Sequence, residues 1–144
     1  MVSKTNEEAL ETLITEHLIT QHRYAKGASS DFNKIYGVDT RFFWEFFERT
    51  QNKELEKLKR FSDDWQRKVL ERLDRLVKKH GLLHIFKKGL SVDDAHLTLM
   101  YPAPLASSSD TVKQSFEENI FSCTRQVTYS TANPLQEVDV VLFI

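Results

Sequence analysis

The spacing of apolar residues changes from a helical to a strand-like period near Gly89. Before that point, apolar side chains recur every three to four residues, as on one face of an amphipathic helix. After it, they alternate with polar residues or form short continuous runs, as in β-strands. The pattern therefore predicts an α+β fold. Residues 1–89 are mainly helical, and residues 90–144 hold strands and one short helix.

Three longer helices are predicted in the first part. The first begins at Thr5, which can cap it together with Glu8. A loop over residues 22–39 follows, and the second helix begins at Asp39 or Thr40 and breaks near residues 50–52. The third runs from about Ser62 to His80. The apolar face of the first helix is expected to pack on the core through Leu10, Leu13, Ile14, His17 and Leu18.

Strands are predicted at residues 96–101, 120–129 and 138–144, with a short helix at 110–119. The last strand is nearly all apolar, so we expect it to be central and buried on both faces. Because chains usually end in polar residues, its apolar end at Ile144 suggests a truncated single domain over residues 1–144 with an incomplete sheet.

Composition and charge narrow the class of protein. Lys and Arg total 20 and Asp and Glu total 21, so there is no global basic field, and any DNA contact must be local. The single cysteine, Cys123, excludes an internal disulfide and a cysteine-based zinc site. No run of about 18 apolar residues exists, and the N-terminus is polar and acidic, unlike a signal peptide. A cytoplasmic location without membrane contact is expected.

Asp139 is the most informative anomaly, because an aspartate opens an apolar strand where its residue type is disfavoured. One interpretation places it at the edge of the sheet, solvated or capping the preceding loop. The other makes it a metal ligand, since Mg²⁺ prefers carboxylate oxygens and keeps several waters. The residue alone does not decide between them.

Other polar residues are open to two interpretations as well. Glu11 is a second carboxylate that could act with Asp139, or a solvated residue. His17 lies in the apolar stripe of the first helix and is expected to be a packed histidine. The Arg125-Gln126 pair suits a phosphate, or forms a salt bridge with an acid such as Asp139 or Glu137. Basic pairs either contact phosphates or solvate helix surfaces; they are Arg67-Lys68, Lys78-Lys79 and Lys87-Lys88.

Several motifs occur together in one order along the chain. The early ones are Glu8-Ala9-Leu10-Glu11, the segment around Tyr24, Phe47-x-x-Thr50-Gln51, Arg72-Leu73 and Gly81-Leu82-Leu83-x-x-x-Lys87-Lys88-Gly89. The later ones are Tyr101-x-Pro, Asn119-x-Phe121-x-x-Thr124-Arg125-Gln126-Val127-x-Tyr129-Ser130 and Val138-Asp139-Val140-Val141-Leu142-Phe143. Together they resemble the N-terminal (HsdR_N-like) domain of type I restriction enzyme R subunits and cover nearly the whole chain.

This resemblance implies a PD-(D/E)xK restriction-endonuclease-like core. Asp139 would be the catalytic aspartate that binds Mg²⁺, and Glu11 the supporting helix acid, with Glu7 or Glu8 as alternatives. Arg125 and Gln126 would contact nucleic acid. The Glu-x-Lys of the next strand and the motor domains that bind ATP do not occur in these 144 residues.

The implied activity is that of a type I site-specific deoxyribonuclease, which hydrolyses unmodified DNA with Mg²⁺ while translocating it with ATP. Its partners would be DNA and the modification and specificity subunits. The chain by itself is expected to be inactive. Two alternatives stay open: a helical module that docks partner subunits without catalysis, and a PD-(D/E)xK protein outside the type I systems.

Overall fold

The computed structural model describes residues 4–133 and 135–144. It shows a mixed α+β protein with six α-helices and small sheets in these ranges, which confirms the predicted fold class. By internal contacts the chain divides into two compact units. The first is the chain up to Phe42 together with Ile120–Ile144, and the second is Phe43–Asn119. The single domain predicted for residues 1–144 stays a prediction.

A three-stranded mixed sheet forms the centre of the first unit. Its strands are β1 (Ala25–Lys26), β6 (Ser122–Thr128) and β7 (Glu137–Phe143), in the order β1-β6-β7. β1 runs parallel to β6, and β7 runs antiparallel to it. Helix α1 (Lys4–His22) contacts β6 and β7. The sheet therefore presents one face to α1.

Short elements replace the loop that was predicted between the first two helices. A 3-10 turn (Ser29–Asp31) leads into β2 (Phe32–Asn33), which pairs antiparallel with β3 (Val38–Asp39). The side chain of Asn33 accepts hydrogen bonds from the amides of Ile35 and Tyr36, at 3.0 and 3.2 Å. This Asx-type turn closes the hairpin.

The prediction that the last strand is central and buried on both faces is wrong, because β6 is the central strand of this sheet. β7 has one strand neighbour, and its residues are half-buried or exposed, with Leu142 at 51%. β6 instead carries the buried side chains, including Cys123 and Val127. An apolar run indicates that a strand prefers burial. Which strand is central, however, depends on the order in which the strands pair.

The prediction that the apolar face of α1 packs on the core is also wrong. Leu10 and Leu13 are 58% and 66% exposed, and His17 is exposed as well. The helix buries Thr15 instead, and it half-buries Glu11 and Thr12. A polar face can pack inward when its groups find hydrogen-bond partners, and Thr15 donates to the Glu11 carbonyl at 2.9 Å.

The second unit is mainly helical. It contains most of α2 (Thr40–Thr50), then α3 (Asn52–Phe61), α4 (Trp65–His80), α5 (Leu82–Lys88) and α6 (Asp110–Glu117). β4 (Leu90–Val92) and β5 (Ala95–Leu97) form an antiparallel hairpin. The predicted break near residues 50–52 is confirmed. The buried apolar side chains of the second unit are Phe46, Phe47, Leu55, Leu58, Val69, Leu70, Leu73, Ile85, Leu90, Val92, Ala95 and Leu97.

Side-chain amides take over backbone pairing where the strand predicted for residues 96–101 stops at Leu97. Gln51 donates to the Thr98 carbonyl and accepts from the Thr98 amide, both at 2.7 Å. Asn119 makes the same reciprocal pair with the backbone of Tyr101. Because these side chains pair with the main chain of Thr98 and Tyr101, those two residues need no strand neighbour.

No helix in the described ranges is both long enough and apolar enough to span a membrane.

Candidate functional site

The candidate site lies where α1 crosses the central strand β6. One carboxylate oxygen of Glu11, Oε2, accepts hydrogen bonds from the Arg125 guanidinium at 2.9 Å and from the Gln126 amide at 3.0 Å. Arg125 also donates to the Thr12 hydroxyl at 3.0 Å. We call these four residues the Glu11 cluster. It joins the helix acid and the Arg-Gln pair that the sequence analysis selected separately.

Burial makes this ion pair stronger than one on the open surface. The Glu11 side chain is 14% exposed and that of Arg125 is 35% exposed. Hydrogen bonds between ionised groups are roughly twice as strong as neutral ones, and partial burial reduces their screening. The cluster therefore fixes α1 against the sheet. Arg125 does form a salt bridge, but with Glu11 and not with Asp139 or Glu137.

A left-handed backbone at Gln126 makes the double contact possible. Successive side chains on a regular strand point to opposite faces, so Arg125 and Gln126 would normally diverge. Gln126 has a φ of +56°, which interrupts that alternation and lets its amide reach the acid already held by Arg125. This conformation costs a non-glycine residue roughly 1–2 kcal/mol. Such strain is concentrated at functional sites.

Asp139 lies on β7 beside this cluster. Arg125 pairs with Val140 and Val127 pairs with Val138, which puts Gln126 and Asp139 on the rung between those pairs. Asp139 is exposed at this position. Within the described ranges, no hydrogen bond or ion pair joins its carboxylate to the Glu11 cluster, and no group of three potential metal ligands occurs.

Of the three acids near the start of α1, Glu11 is the one that reaches the sheet. Glu7 and Glu8 are exposed. The Glu8 carbonyl accepts a hydrogen bond from Thr12, at 2.8 Å, within the helix. The geometry therefore favours Glu11 over the two alternatives as the acid associated with β6.

A second polar group, which sequence reasoning missed, lies inside the same unit. Asp39, Ser122 and Thr124 are 4%, 1% and 1% exposed, and we call them the buried hydroxyl cluster. Asp39 Oδ2 and the two hydroxyl oxygens have no hydrogen-bond partner among the described residues. Asp39 Oδ1 caps α2 by accepting from the Phe42 amide at 3.1 Å. The only sequence signal was the capping position of Asp39.

Burial raises the pKa of Asp39 above its ordinary value, and the nearby charge of Asp31 raises it further. The Phe42 amide acts in the opposite direction without cancelling the effect. Since the folded-state pKa exceeds the unfolded one, ionisation of Asp39 costs stability at neutral pH. That cost disappears as the pH falls below the unfolded value.

We expect Asp39→Asn to be more stable relative to the wild type at pH 7 than at pH 4, because asparagine keeps the cap and cannot ionise. Urea unfolding of both proteins at the two pH values measures this difference. Asp63→Asn, at an exposed aspartate, is the matched control and should show no such pH dependence. If the stability of Asp39→Asn relative to the wild type instead increases toward acid pH, the pKa of Asp39 is not raised in the folded protein.

Four further candidates have a defined environment in the structure: Arg67, Lys78, Cys123 and His17. Arg67 forms an ion pair with Asp64, the residue before α4, and Lys78 forms one with Asp74 within α4. The Cys123 thiol is buried, and burial raises its pKa, which disfavours the reactive thiolate. The prediction that His17 is packed in the core is wrong, because its side chain is exposed and contacts His22.

No known protein family, curated protein or solved structure matches this chain.

Proposed function

We propose that the chain is the N-terminal nuclease region of a type I restriction enzyme R subunit, acting in the cytoplasm. The ordered motifs support this proposal, and they end in Thr124-Arg125-Gln126 and Val138-Asp139-Val140. One structural observation adds to them. The two motifs form neighbouring strands, and the helix acid Glu11 is bound to the first of them.

The residues fit Mg²⁺ only in part. Asp139 offers an exposed carboxylate, and Mg²⁺ is commonly held by one or two carboxylates plus waters and substrate phosphate. Glu11 Oε2 already accepts two hydrogen bonds, which supports a role for Glu11 in positioning the helix. When bound, the ion would polarise a scissile phosphate and lower the pKa of a water.

The chain's own residues then have distinct roles. Asp139 would hold the substrate phosphate through the ion, and Gln126, on the same rung, would set the local shape of the strand pair. Arg125 is 35% exposed, so part of its side chain is accessible to a DNA phosphate in the proposed complex, while its Nε is buried. No Glu-x-Lys follows Asp139 in these 144 residues, so nothing here orients the attacking water.

The proposal is tested in the complete R subunit with its modification and specificity subunits. We expect Asp139→Asn to reduce ATP-dependent cleavage of unmodified plasmid by about 100-fold or more, since a lost metal ligand removes several kcal/mol of transition-state stabilisation. ATP hydrolysis should continue. Glu137→Gln is the matched control, because it neutralises an exposed acid two residues away on the same strand.

Two results would refute the proposal. One is cleavage by Asp139→Asn at the wild-type rate. The other is a coding sequence that contains neither Glu-x-Lys nor a phosphate-binding loop of the ATP-binding type beyond Asp139. The 144-residue protein alone should not nick plasmid with Mg²⁺, in agreement with the absence of the lysine.

A second candidate is a docking module without catalysis. The exposed apolar row of α1 favours it, because Leu10, Leu13 and Ile14 are 58%, 66% and 44% exposed. Exposed apolar patches commonly mark interaction sites. The same experiment separates the two, since a docking module would show no dependence of cleavage on Asp139.

A further inference from the structure

Two exposed histidines face each other at the end of α1. The Nε2 atoms of His17 and His22 lie 3.3 Å apart. Their ring centroids are 5.1 Å apart, and the ring planes are inclined at 65°. Neither ring takes part in the Glu11 cluster, so the pair needs an explanation of its own.

The end of the helix brings these rings together. Residues five apart do not share a face of a regular helix, where neighbours are three or four apart. After His22 the chain turns sharply, because Arg23 adopts a φ of +57° and the Tyr24 amide donates to the Leu18 carbonyl at 3.1 Å. This backward turn holds the backbone after His22 close to the last turn of α1.

The separation of the two nitrogens matches tetrahedral metal coordination. Zn²⁺ binds imidazole nitrogen at about 2.0–2.1 Å with tetrahedral geometry, which puts two such nitrogens about 3.3–3.4 Å apart. The observed 3.3 Å agrees with this spacing. Without metal, the same separation lets one ring nitrogen donate a hydrogen bond to the other.

The inclination of the two rings is compatible with a shared ion. A metal binds along the nitrogen lone pair, which lies in the plane of the ring, so two rings inclined at 65° can direct their lone pairs at one point. The other histidine pair, His80 and His84, is stacked at an interplanar angle of 26°. The rings of that pair stack face to face and do not show the approach of two ring nitrogens that His17 and His22 show.

We propose that His17 and His22 form a two-histidine site for Zn²⁺. The described residues supply these two ligands, so water or a group from a bound molecule completes the coordination. Such an open site binds more weakly than a closed site with four protein ligands. It is also chemically distinct from the Mg²⁺ role proposed for Asp139, because imidazole favours transition metals and carboxylate favours Mg²⁺.

The test is zinc binding to the untagged 144-residue protein, measured by competition with a chromogenic zinc indicator at neutral pH. We expect one equivalent of Zn²⁺ to bind, with no competition from millimolar Mg²⁺. His17→Gln and His22→Gln should each weaken binding by at least about 10-fold, because even an outer-shell partner is worth about 10–100-fold. The variants should fold, since both side chains are exposed.

His80→Gln/His84→Gln is the matched control, because it removes the same number of exposed histidines. It should bind zinc like the wild type. The proposal is overturned if the wild type binds no more zinc than His17→Gln/His22→Gln. It is equally overturned if the His80/His84 double variant loses the binding.

Discussion

Glu11→Ala is expected to lower the free energy of unfolding by about 1–3 kcal/mol, the cost of leaving buried polar groups without a partner. The substitution removes the common acceptor of Arg125 and Gln126. The Nε atom of Arg125 already has no partner among the described residues, so the guanidinium would keep only its bond to Thr12. The loss stays below the roughly 3–5 kcal/mol of a fully buried pair because Arg125 is 35% exposed.

A double-mutant cycle with Arg125→Met measures this interaction directly, because methionine keeps the apolar stem and removes the charge. If the pair is coupled as described, urea unfolding should show that the double variant loses less stability than the two single variants added together. Glu7→Ala, at an exposed acid of the same helix, is the control and should change stability by less than about 0.5 kcal/mol. Equal effects of Glu7→Ala and Glu11→Ala on the free energy of unfolding would show that the Glu11 cluster does not stabilise this unit.

The cycle also bears on the proposed nuclease. Glu11→Gln keeps a side-chain oxygen that can accept hydrogen bonds from Arg125 and Gln126. The helix would then remain in place against β6. The proposed role of Glu11 is therefore structural support of the strand that neighbours Asp139.

Periodicity predicted the elements of this chain better than it predicted their partners. The break between α2 and α3 followed from polar residues around Gln51, and the end of α4 followed from a basic run before Gly81. These features depend on local backbone chemistry, which the sequence displays directly. The face that α1 presents to the sheet depends on Arg125, which is 114 residues from Glu11 along the chain. No local pattern contains that information.

The residues of the candidate site could likewise be selected from the sequence, whereas their contacts and backbone conformation could not. Glu11, Arg125, Gln126 and Asp139 could be selected from the sequence because charged or amide side chains next to apolar strands are unusual. The left-handed backbone of Gln126 could not, since glutamine carries no preference for it. The buried hydroxyl cluster was missed because Ser122 and Thr124 are ordinary strand residues, and only the fold places Asp39 Oδ2 near the Thr124 hydroxyl, next to Gly27.

Gly27→Ala is expected to destabilise the first unit by about 1–3 kcal/mol, the usual cost of overpacking a core. A Cβ at residue 27 would lie well under 3.0 Å from the Thr124 hydroxyl oxygen and 3.2 Å from Asp39 Oδ2. Thr124 cannot move away easily, because it is 1% exposed on the central strand. The Gly27 amide also donates to the Cys123 carbonyl at 2.9 Å, which fixes the approach of the two backbones.

Thr124→Ala should recover most of this loss when it is combined with Gly27→Ala, because the new methyl group then occupies the space of the removed hydroxyl. Thermal unfolding of the two single variants and the double variant measures the recovery. Gly37→Ala is an informative control, since its added Cβ meets nothing within 4 Å but its φ is +70°. It should cost roughly 1–2 kcal/mol from backbone strain alone, and Thr124→Ala should not rescue it. Rescue of both glycine variants, or of neither, would show that the close approach of Thr124 is not the reason why residue 27 must be glycine.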